Sequence, residues 1–248
     1  MLTDHDEQAV ANQFGVARAQ VHRDHLISHV LGAISKHFAD SILFFGGTAL
    51  SRTVLPAGRL SEDIDLIALG NRRTTAQTLE HVVAKELRRE YPGLRWLPSL
   101  TNVRDTEPAV LTTLDNISVR IQLLNSTGYP PWPTEHRTIV QRYSDAPPAQ
   151  LLVPTPAAFS AWKTAAWAGR SASRDLFDLK LLADAGAIDT EAAELFRRYG
   201  PTNRYPSATL FTVAPDEQKW QRELAAQTRL EISAAEALRV VREAWTNV

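Results

Sequence analysis

Two predicted strands, joined by a glycine turn and a short helix, run through residues 42–66, ILFFGGTALSRTVLPAGRLSEDIDL. The apolar run at residues 42–45 predicts a buried strand, and Gly46 and Gly47 predict a tight turn into a helix opened by Thr48. Glycine lets the backbone approach a ligand closely, and the first turn of a helix offers free N–H groups to an anion. This part of the segment therefore predicts one half of a phosphate site.

The second predicted strand carries two carboxylates on one face. Strand side chains alternate between faces, so Asp63 and Asp65 project to one side while Ile64 and Leu66 turn into the core. Ser61 lies two residues before Asp63 and is expected on the same side. Two carboxylates close together repel each other unless a cation lies between them, and hard oxygen ligands of this kind suit Mg2+. Together with the glycine turn, the pair predicts metal-assisted nucleotide chemistry.

Both parts of this segment resemble a known motif. GGTAL at residues 46–50, followed by Arg59 and SEDIDL at residues 61–66, is similar to the first motif of the DNA polymerase β-type nucleotidyltransferases. Within that superfamily the segment resembles the AbiEii-type toxins, which include the MenT toxins of bacterial toxin–antitoxin pairs. The resemblance implies an α/β (α+β) fold, with a polymerase β-type nucleotidyltransferase domain built on a mixed sheet and followed by a helical domain.

The same resemblance implies substrates, a metal and a partner. It implies an enzyme that uses a nucleoside triphosphate (NTP) with Mg2+, or with Mn2+ as the alternative metal. The nucleoside monophosphate would be added to the 3′ hydroxyl of an RNA, with the acceptor end of tRNA as the expected target. An added nucleotide there would block aminoacylation and hence translation. A cognate antitoxin protein is the other partner that the resemblance implies.

The composition of the 248-residue chain is ordinary for a globular protein, with 44% hydrophobic and 22% charged residues. The absence of cysteine excludes disulfides and thiolate metal sites and fits a reducing cytosol. No apolar run approaches the roughly 20 residues that cross a bilayer, and the acidic first ten residues lack the apolar core of a signal peptide. We therefore expect a cytoplasmic protein with no membrane partner. A net charge of −1 argues against bulk adhesion to nucleic acid, although a local basic face can still bind RNA.

A helix is predicted at residues 16–38, where apolar residues recur at helical spacing. His25 and His29 are four residues apart in it, a spacing at which two histidines can share a metal. No third ligand is evident nearby in the sequence. The two histidines are therefore expected on a solvated face of the helix.

A strand is predicted at residues 116–124, NISVRIQLL, because apolar and polar residues alternate there. Polymerase β-type folds usually place a third metal-binding carboxylate on such a strand. The candidates on its polar face are Arg120 and Gln122, and neither can play that role. The third carboxylate therefore comes from elsewhere, or the enzyme works with two.

The chain changes character near residue 147. Before this point strand and helix patterns alternate, whereas helical patterns dominate residues 148–248. The proline-rich residues 146–156 are the expected connection. We predict a nucleotidyltransferase domain at residues 1–147 and a mainly helical domain at residues 148–248 that completes an active-site cleft, with the nucleotide bound in it.

A second candidate cluster lies on two predicted helices of the C-terminal half. By residue type alone its charges are either a surface ion-pair network of little energetic consequence or a set that holds a triphosphate. The resemblance favours the second interpretation, since AbiEii-type toxins carry a Lys, then an Arg, then an Arg/Lys-Asp-x-x-Asp-Leu run facing the active site. The matching residues are Lys163, Arg170, Arg174, Asp175 and Asp178.

Roles for these residues follow from the resemblance and from their charges. The expected metal ligands are Asp63 and Asp65. The expected nucleotide-binding residues are Gly46, Gly47, Thr48, Ser61, Lys163, Arg170 and Arg174. The expected catalytic residues are Asp63, Asp65, Lys163, Asp175 and Asp178. Asp178 is favoured as the group that orients or deprotonates the attacking hydroxyl, because Asp175 is adjacent to Arg174 and is more simply its ion-pair partner.

Three alternative functions remain open from the sequence. A nucleotidyltransferase acting on a small molecule, such as an aminoglycoside, shares the first motif and would need an acidic acceptor pocket. A transferase acting on a Ser, Thr or Tyr hydroxyl of another protein is the second. The third is an inactive nucleotide- or RNA-binding module, which the missing strand carboxylate keeps open.

Overall fold

A seven-stranded mixed sheet forms the centre of the N-terminal part of the protein. A computed structural model describes residues 1–248, which divide into two units. The N-terminal unit comprises Met1–Tyr129 and Glu135–Val153, and the C-terminal unit comprises Pro130–Thr134 and Pro154–Val248. In chain order the strands are β1 (Ile42–Phe45), β2 (Asp63–Ala68), β3 (Arg95–Trp96), β4 (Ala109–Thr112), β5 (Ser118–Asn125), β6 (Thr134–Ile139) and β7 (Ala149–Pro154).

Parallel and antiparallel pairing are combined in this sheet, whose strand order is β3-β4-β5-β2-β1-β7-β6. β1 is antiparallel to β2 and parallel to β7, and β2 is parallel to β5. β4 is antiparallel to both β3 and β5. The alternation predicted for residues 116–124 is confirmed in β5, where Val119, Ile121 and Leu123 are buried while Arg120 is exposed.

Four helices belong to the N-terminal unit: α1 (Asp4–Phe14), α2 (Arg18–Phe38), α3 (Gly46–Thr53) and α4 (Arg72–Glu86). The helix predicted at residues 16–38 is α2, but the prediction that its histidines are solvated is wrong. His25 and His29 are only 3% and 8% exposed. The reason is that Tyr91, which follows α4, and Tyr143 and Asp145, which precede β7, pack against the two rings.

A buried charge network fastens α3 to α2. The Arg52 guanidinium in the last turn of α3 lies 2.8 Å from Asp24 of α2, and the Tyr143 hydroxyl donates to the same carboxylate at 3.0 Å. Arg142 donates to the carbonyl of Ser51 at 2.8 Å. Burial and the neighbouring Arg52 lower the pKa of Arg142 to about 10. Because a buried charge is costly unless it is paired, this network fixes the helix that follows the glycine turn.

The C-terminal unit is helical. Its elements are α5 (Pro156–Arg170), α6 (Ser173–Asp184), α7 (Thr190–Tyr199), α8 (Glu217–Leu224) and α9 (Ala234–Thr246). Thr155 caps α5 by accepting a hydrogen bond from the Ala158 N–H at 3.2 Å, as its sequence predicts. None of the helices of the protein combines the length and the apolar character needed to cross a membrane.

The unit boundary differs from the one predicted at residue 147. The expected connection at residues 146–156 contains β7, which pairs with β1 and so belongs to the sheet. Residues 130–134 group instead with the helices, because the Trp132 ring stacks on Trp162 with centroids 5.5 Å apart. Trp132 also packs against Phe196. Long-range pairing and aromatic packing therefore set the division, and the density of proline does not.

Candidate active site

The predicted acidic pair lies at the start of β2. Asp63 is paired in register with Arg120 of β5, and Asp65 lies between Gln122 of β5 and Phe45 of β1. A pocket of about 210 Å3 opens here, lined by Asp63, Asp65, Pro108, Arg120 and Gln122. Neither of the β5 residues beside the aspartates is an acid, so the strand that neighbours the pair supplies no third carboxylate.

The glycine turn lies directly against this acidic pair. Gly46 has a φ of +78°, and a Cβ atom at this position would collide with the Asp65 carboxylate. A Cβ at Gly47 would lie 2.8 Å from Arg59 Nη2 and 3.3 Å from Ser61 Oγ. Only glycine allows the start of α3 to approach these side chains so closely. The first turn of α3 is thus held close to the Asp65 carboxylate.

Thr48 and Ser61 differ from their predicted settings. The helix begins at Gly46, and the buried Thr48 hydroxyl donates to the backbone carbonyl of Asp63. This bond ties α3 to β2. Because it occupies the Thr48 hydroxyl, only the backbone N–H of Thr48 remains to contact a phosphate. Ser61 precedes β2, which begins at Asp63, and it is buried beside Gly47.

A guanidinium already neutralises one of the two acids. Arg120 Nε donates to Asp63 Oδ1 at 2.8 Å, and Nη2 donates to Oδ2 at 3.0 Å. The hydrogen bonds and charge of Asp63 raise the pKa of Arg120. The Arg120 side chain is 53% exposed and can swing away into solvent. The Arg120 guanidinium shows that this position attracts a cation, and the two carboxylates offer oxygen ligands. Both observations fit a divalent metal site at Asp63 and Asp65.

We expect Arg120→Ala to lower the Mg2+ concentration needed for half-maximal activity by about two- to five-fold, since an exposed ion pair of ~0.5–1 kcal/mol would no longer compete with the metal. A Mg2+ titration of the transfer rate measures this shift. Arg73→Ala, which removes an exposed arginine of the same unit, is the control and should leave the titration unchanged. An unchanged or higher Mg2+ requirement in Arg120→Ala would show that Arg120 does not compete for Asp63.

An acid that the sequence pattern did not single out lies near this pocket. Gln122 Nε2 donates to the backbone carbonyl of Asp105 at 3.1 Å. Burial, and then the charges of Asp105 and Asp65, raise the pKa of Tyr129. Asp105 therefore lies next to Gln122, which lines the pocket, in the turn before β4. Its sequence carries no periodic signal, because residues 103–108 are irregular.

The second predicted cluster is brought together within the C-terminal unit. Lys163 Nζ lies 3.1 Å from Asp175 Oδ1 and 2.7 Å from Asp178 Oδ2. Arg170 donates to both oxygens of Asp175, at 2.7 Å and 3.0 Å. Asp175 is fully buried and Lys163 is 8% exposed, so the alternative of a surface ion-pair network is wrong for these residues. Helix α5 presents both cations to the acids of α6.

The charged side chains of this cluster differ in burial and in ion pairing. Burial by itself raises the pKa of Asp175, but Lys163 and Arg170 outweigh it and hold that pKa below its ordinary value. Asp175 thus stays ionised between two cations. Arg170 is 64% exposed despite this pairing, and the half-buried Arg174 makes no ion pair with an acid of this cluster. Both guanidiniums are thus more accessible to solvent than the Lys163 ammonium group.

A glycine turn that opens a helix, two aspartates on the next strand of a mixed sheet, and a helical unit after the sheet together define a nucleotidyltransferase fold. The sequence profile of the family described as nucleotidyl transferase AbiEii toxin, type IV toxin–antitoxin system, matches residues 29–247. The chain belongs to this family. No curated protein matches the chain by sequence.

Two solved structures share the fold. MenT4, a nucleotidyltransferase toxin from Mycobacterium tuberculosis H37Rv, superposes with a TM-score of 0.66 at 18% sequence identity, over 98% of this chain and 90% of that one. A protein from H. pylori classed as a nucleotidyltransferase superposes with a TM-score of 0.55 at 15% identity, over 94% of this chain and 95% of that one. At these identities the likeness establishes the fold.

Proposed function

We propose that this chain transfers a nucleoside monophosphate from an NTP to the 3′ hydroxyl of an RNA, with the acceptor end of tRNA as the target. The observation that carries the transfer chemistry is the contact of the glycine turn with Asp65 beside Asp63. Carboxylates and free helix N–H groups at one point suit a metal-bound triphosphate. Membership of the AbiEii toxin family supports nucleotidyl transfer and an antitoxin partner. The RNA acceptor is the target that the resemblance of the sequence motifs implies.

The residues of the N-terminal unit would bind and orient the triphosphate. Asp63 and Asp65 are the proposed ligands of Mg2+, which when bound would neutralise phosphate charge and polarise the reacting α-phosphate. The backbone N–H groups of Gly47 and Thr48 would donate to phosphate oxygens. Ser61, buried beside Gly47, would fix the position of the turn.

The residues of the C-terminal unit would supply charge and a proton acceptor. Arg170 and Arg174 are proposed to hold the phosphates through charge-assisted hydrogen bonds, and Lys163 would join them. Asp178 is proposed to accept the proton of the attacking hydroxyl. The acceptor 3′ oxygen then forms a bond to the α-phosphorus, the bond from that phosphorus to the bridging oxygen breaks, and pyrophosphate leaves with the electron pair.

The test is incubation of the protein with each of the four α-labelled nucleoside triphosphates, Mg2+ and total cellular RNA. We expect label from at least one nucleotide to enter RNA of tRNA size. RNA whose 3′ ends have been oxidised with periodate is the control and should take no label. Label in protein would favour transfer to a protein hydroxyl, and label in a small molecule would favour a small-molecule acceptor. No label at all would favour an inactive binding module.

A further inference from the structure

Four potential metal ligands meet in the N-terminal unit, in a cluster that shares no residue with the acidic pair of β2. They are His25 and His29 of α2, Glu90 after α4, and Asp145 before β7. Their ligand atoms all lie within 4.8 Å of one another. His25 and Asp145 are 120 positions apart in the chain, which is why no third ligand is evident near the histidines in the sequence.

The distances within this cluster are close to those of a metal site. His25 Nε2 lies 3.0 Å from Asp145 Oδ1, and His29 Nε2 lies 3.3 Å from Asp145 Oδ2. Ligand atoms about 2.0–2.2 Å from a tetrahedral ion lie about 3.4 Å from one another. Glu90 is half-buried and supplies the fourth potential ligand atom.

His29 is the second, independent indication of a ligand. Its Nε2 atom is buried and has no hydrogen-bond partner, because its approach to Asp145 lacks hydrogen-bond geometry. A buried polar atom without a partner costs free energy, and in native proteins such an atom usually has one. An ion among the four ligand atoms would satisfy this nitrogen.

His25 is already oriented as a metal ligand. Its Nδ1 atom is hydrogen-bonded to the Tyr91 hydroxyl, while Nε2 points at Asp145. Because a carboxylate can only accept, Nε2 donates to Asp145 when no ion is bound, and Nδ1 accepts from the Tyr91 hydroxyl. Binding of an ion would move the proton to Nδ1, which would then donate to the Tyr91 oxygen and leave the Nε2 lone pair for the metal. Metal-binding histidines are usually held in this way by a hydrogen bond from the other ring nitrogen.

The charge of the cluster calls for a cation. Two carboxylates and two neutral imidazoles carry a net charge of −2, which a divalent ion balances. The α-ammonium group of Met1 lies 3.0 Å from Glu90 and 2.8 Å from Asp145, so a positive charge is already attracted here. Because this ammonium group pairs with both carboxylates, an ion would have to displace it.

We propose that His25, His29, Glu90 and Asp145 bind one divalent transition-metal ion, with Zn2+ as the expected occupant. Imidazole and carboxylate donors together suit Zn2+, whereas Mg2+ prefers oxygen ligands alone. Four protein ligands leave no open position, which is typical of a structural site. The ion would hold α2 against the segments that follow α4 and precede β7, next to the network that fixes α3.

The first test is Co2+ binding to the whole protein after treatment with a chelator. Co2+ in a four-coordinate site absorbs visible light, which Zn2+ does not. We expect one equivalent of Co2+ to bind with visible absorption, excess Mg2+ to leave that absorption unchanged, and one equivalent of Zn2+ to abolish it. A wild-type protein that shows no such absorption and binds less than one equivalent of Zn2+ would overturn the proposal.

Variants identify the site. His29→Gln and Asp145→Asn should lose the Co2+ absorption, whereas Asp63→Asn in the acidic pair and His81→Gln on the exposed side of α4 should keep it. Loss of the absorption in Asp63→Asn but not in His29→Gln would assign the ion to the acidic pair and end the proposal.

Melting temperatures give a readout that does not depend on activity. At a hundredfold excess of Zn2+ over its Kd we expect the Tm of the wild-type protein to rise by about 5–10 °C. The Tm of folded His29→Gln should not rise. If this variant does not fold, Asp145→Asn and the wild-type titration still decide the question, and a wild-type Tm unaffected by Zn2+ counts against the site.

Discussion

An Asp65→Asn variant is expected to transfer nucleotide about 10³-fold more slowly than the wild-type protein or not at all, because a metal at an active site supplies several kcal/mol and each ~1.4 kcal/mol is a factor of ten. Asp63→Asn should behave in the same way, since both carboxylates border the pocket beside the glycine turn. The measurement is the initial rate of label transfer at saturating NTP and Mg2+. Both variants should also be tolerated when overexpressed if growth inhibition is the biological output.

Glu62→Gln is the matched control for this pair. Glu62 is adjacent to Asp63 but pairs with Arg23 of α2 at 3.4 Å, so it faces away from the pocket. Its variant should keep the wild-type rate. The Asp63–Arg120 pair is part-exposed and contributes ~0–1 kcal/mol to stability, so Asp63→Asn should remain folded by circular dichroism. If a folded Asp63 or Asp65 variant keeps more than a small fraction of the wild-type activity, the assignment of these two aspartates as metal ligands is wrong.

An Asp178→Asn variant is expected to lower turnover by about 10²–10⁴-fold if Asp178 accepts the hydroxyl proton. Nucleotide binding should remain, because the arginines of the cluster are untouched. Asp178 is held by Lys163 at 2.7 Å and is only 3% exposed. To accept a proton, Asp178 would have to exchange this contact with Lys163 for one with the hydroxyl. Single-turnover rates at saturating NTP and RNA, with nucleotide binding measured separately, distinguish the two effects.

Asp175→Asn should act differently. Asp175 is fully buried between Lys163 and Arg170, and removing its charge leaves both cations without a shared partner. The expected effect is a loss of stability, and it should be smaller than the ~3–5 kcal/mol of a fully buried pair, because Lys163 keeps Asp178 as a partner and Arg170 is 64% exposed. Asp184→Asn, at the exposed end of α6, is the control for the Asp178 and Asp175 variants. It should change neither turnover nor stability. Normal turnover in folded Asp178→Asn would take Asp178 out of the chemistry.

Asp105→Asn completes this series. The backbone carbonyl of Asp105 accepts a hydrogen bond from Gln122, which lines the pocket, so this acid is a further candidate for a third carboxylate. A large fall in the turnover of Asp105→Asn, with normal turnover in Asp178→Asn, would move the third carboxylate to the turn before β4. Normal turnover in both would mean that Asp63 and Asp65 suffice.

The sequence by itself determined the features that depend on local pattern. Period-two alternation predicted β2 and β5, a threonine before a proline predicted the start of α5, and consecutive glycines predicted the turn at which α3 begins. These signals work because side-chain direction and backbone freedom repeat over a few residues. The motif residues around Asp63 and Asp65 were sufficient to identify the AbiEii family, whose profile covers residues 29–247.

The tertiary structure alone decided which polar groups are buried and what they meet. His25 and His29 look like solvent-facing residues of an amphipathic helix, yet Tyr91 and Tyr143 pack against their rings. Asp145 pairs with both of them. The register of β5 against β2, which no local pattern specifies, pairs Arg120 with Asp63. Burial and ion pairing of this kind depend on contacts between distant parts of the chain, so they become visible only when the packing of those parts is known.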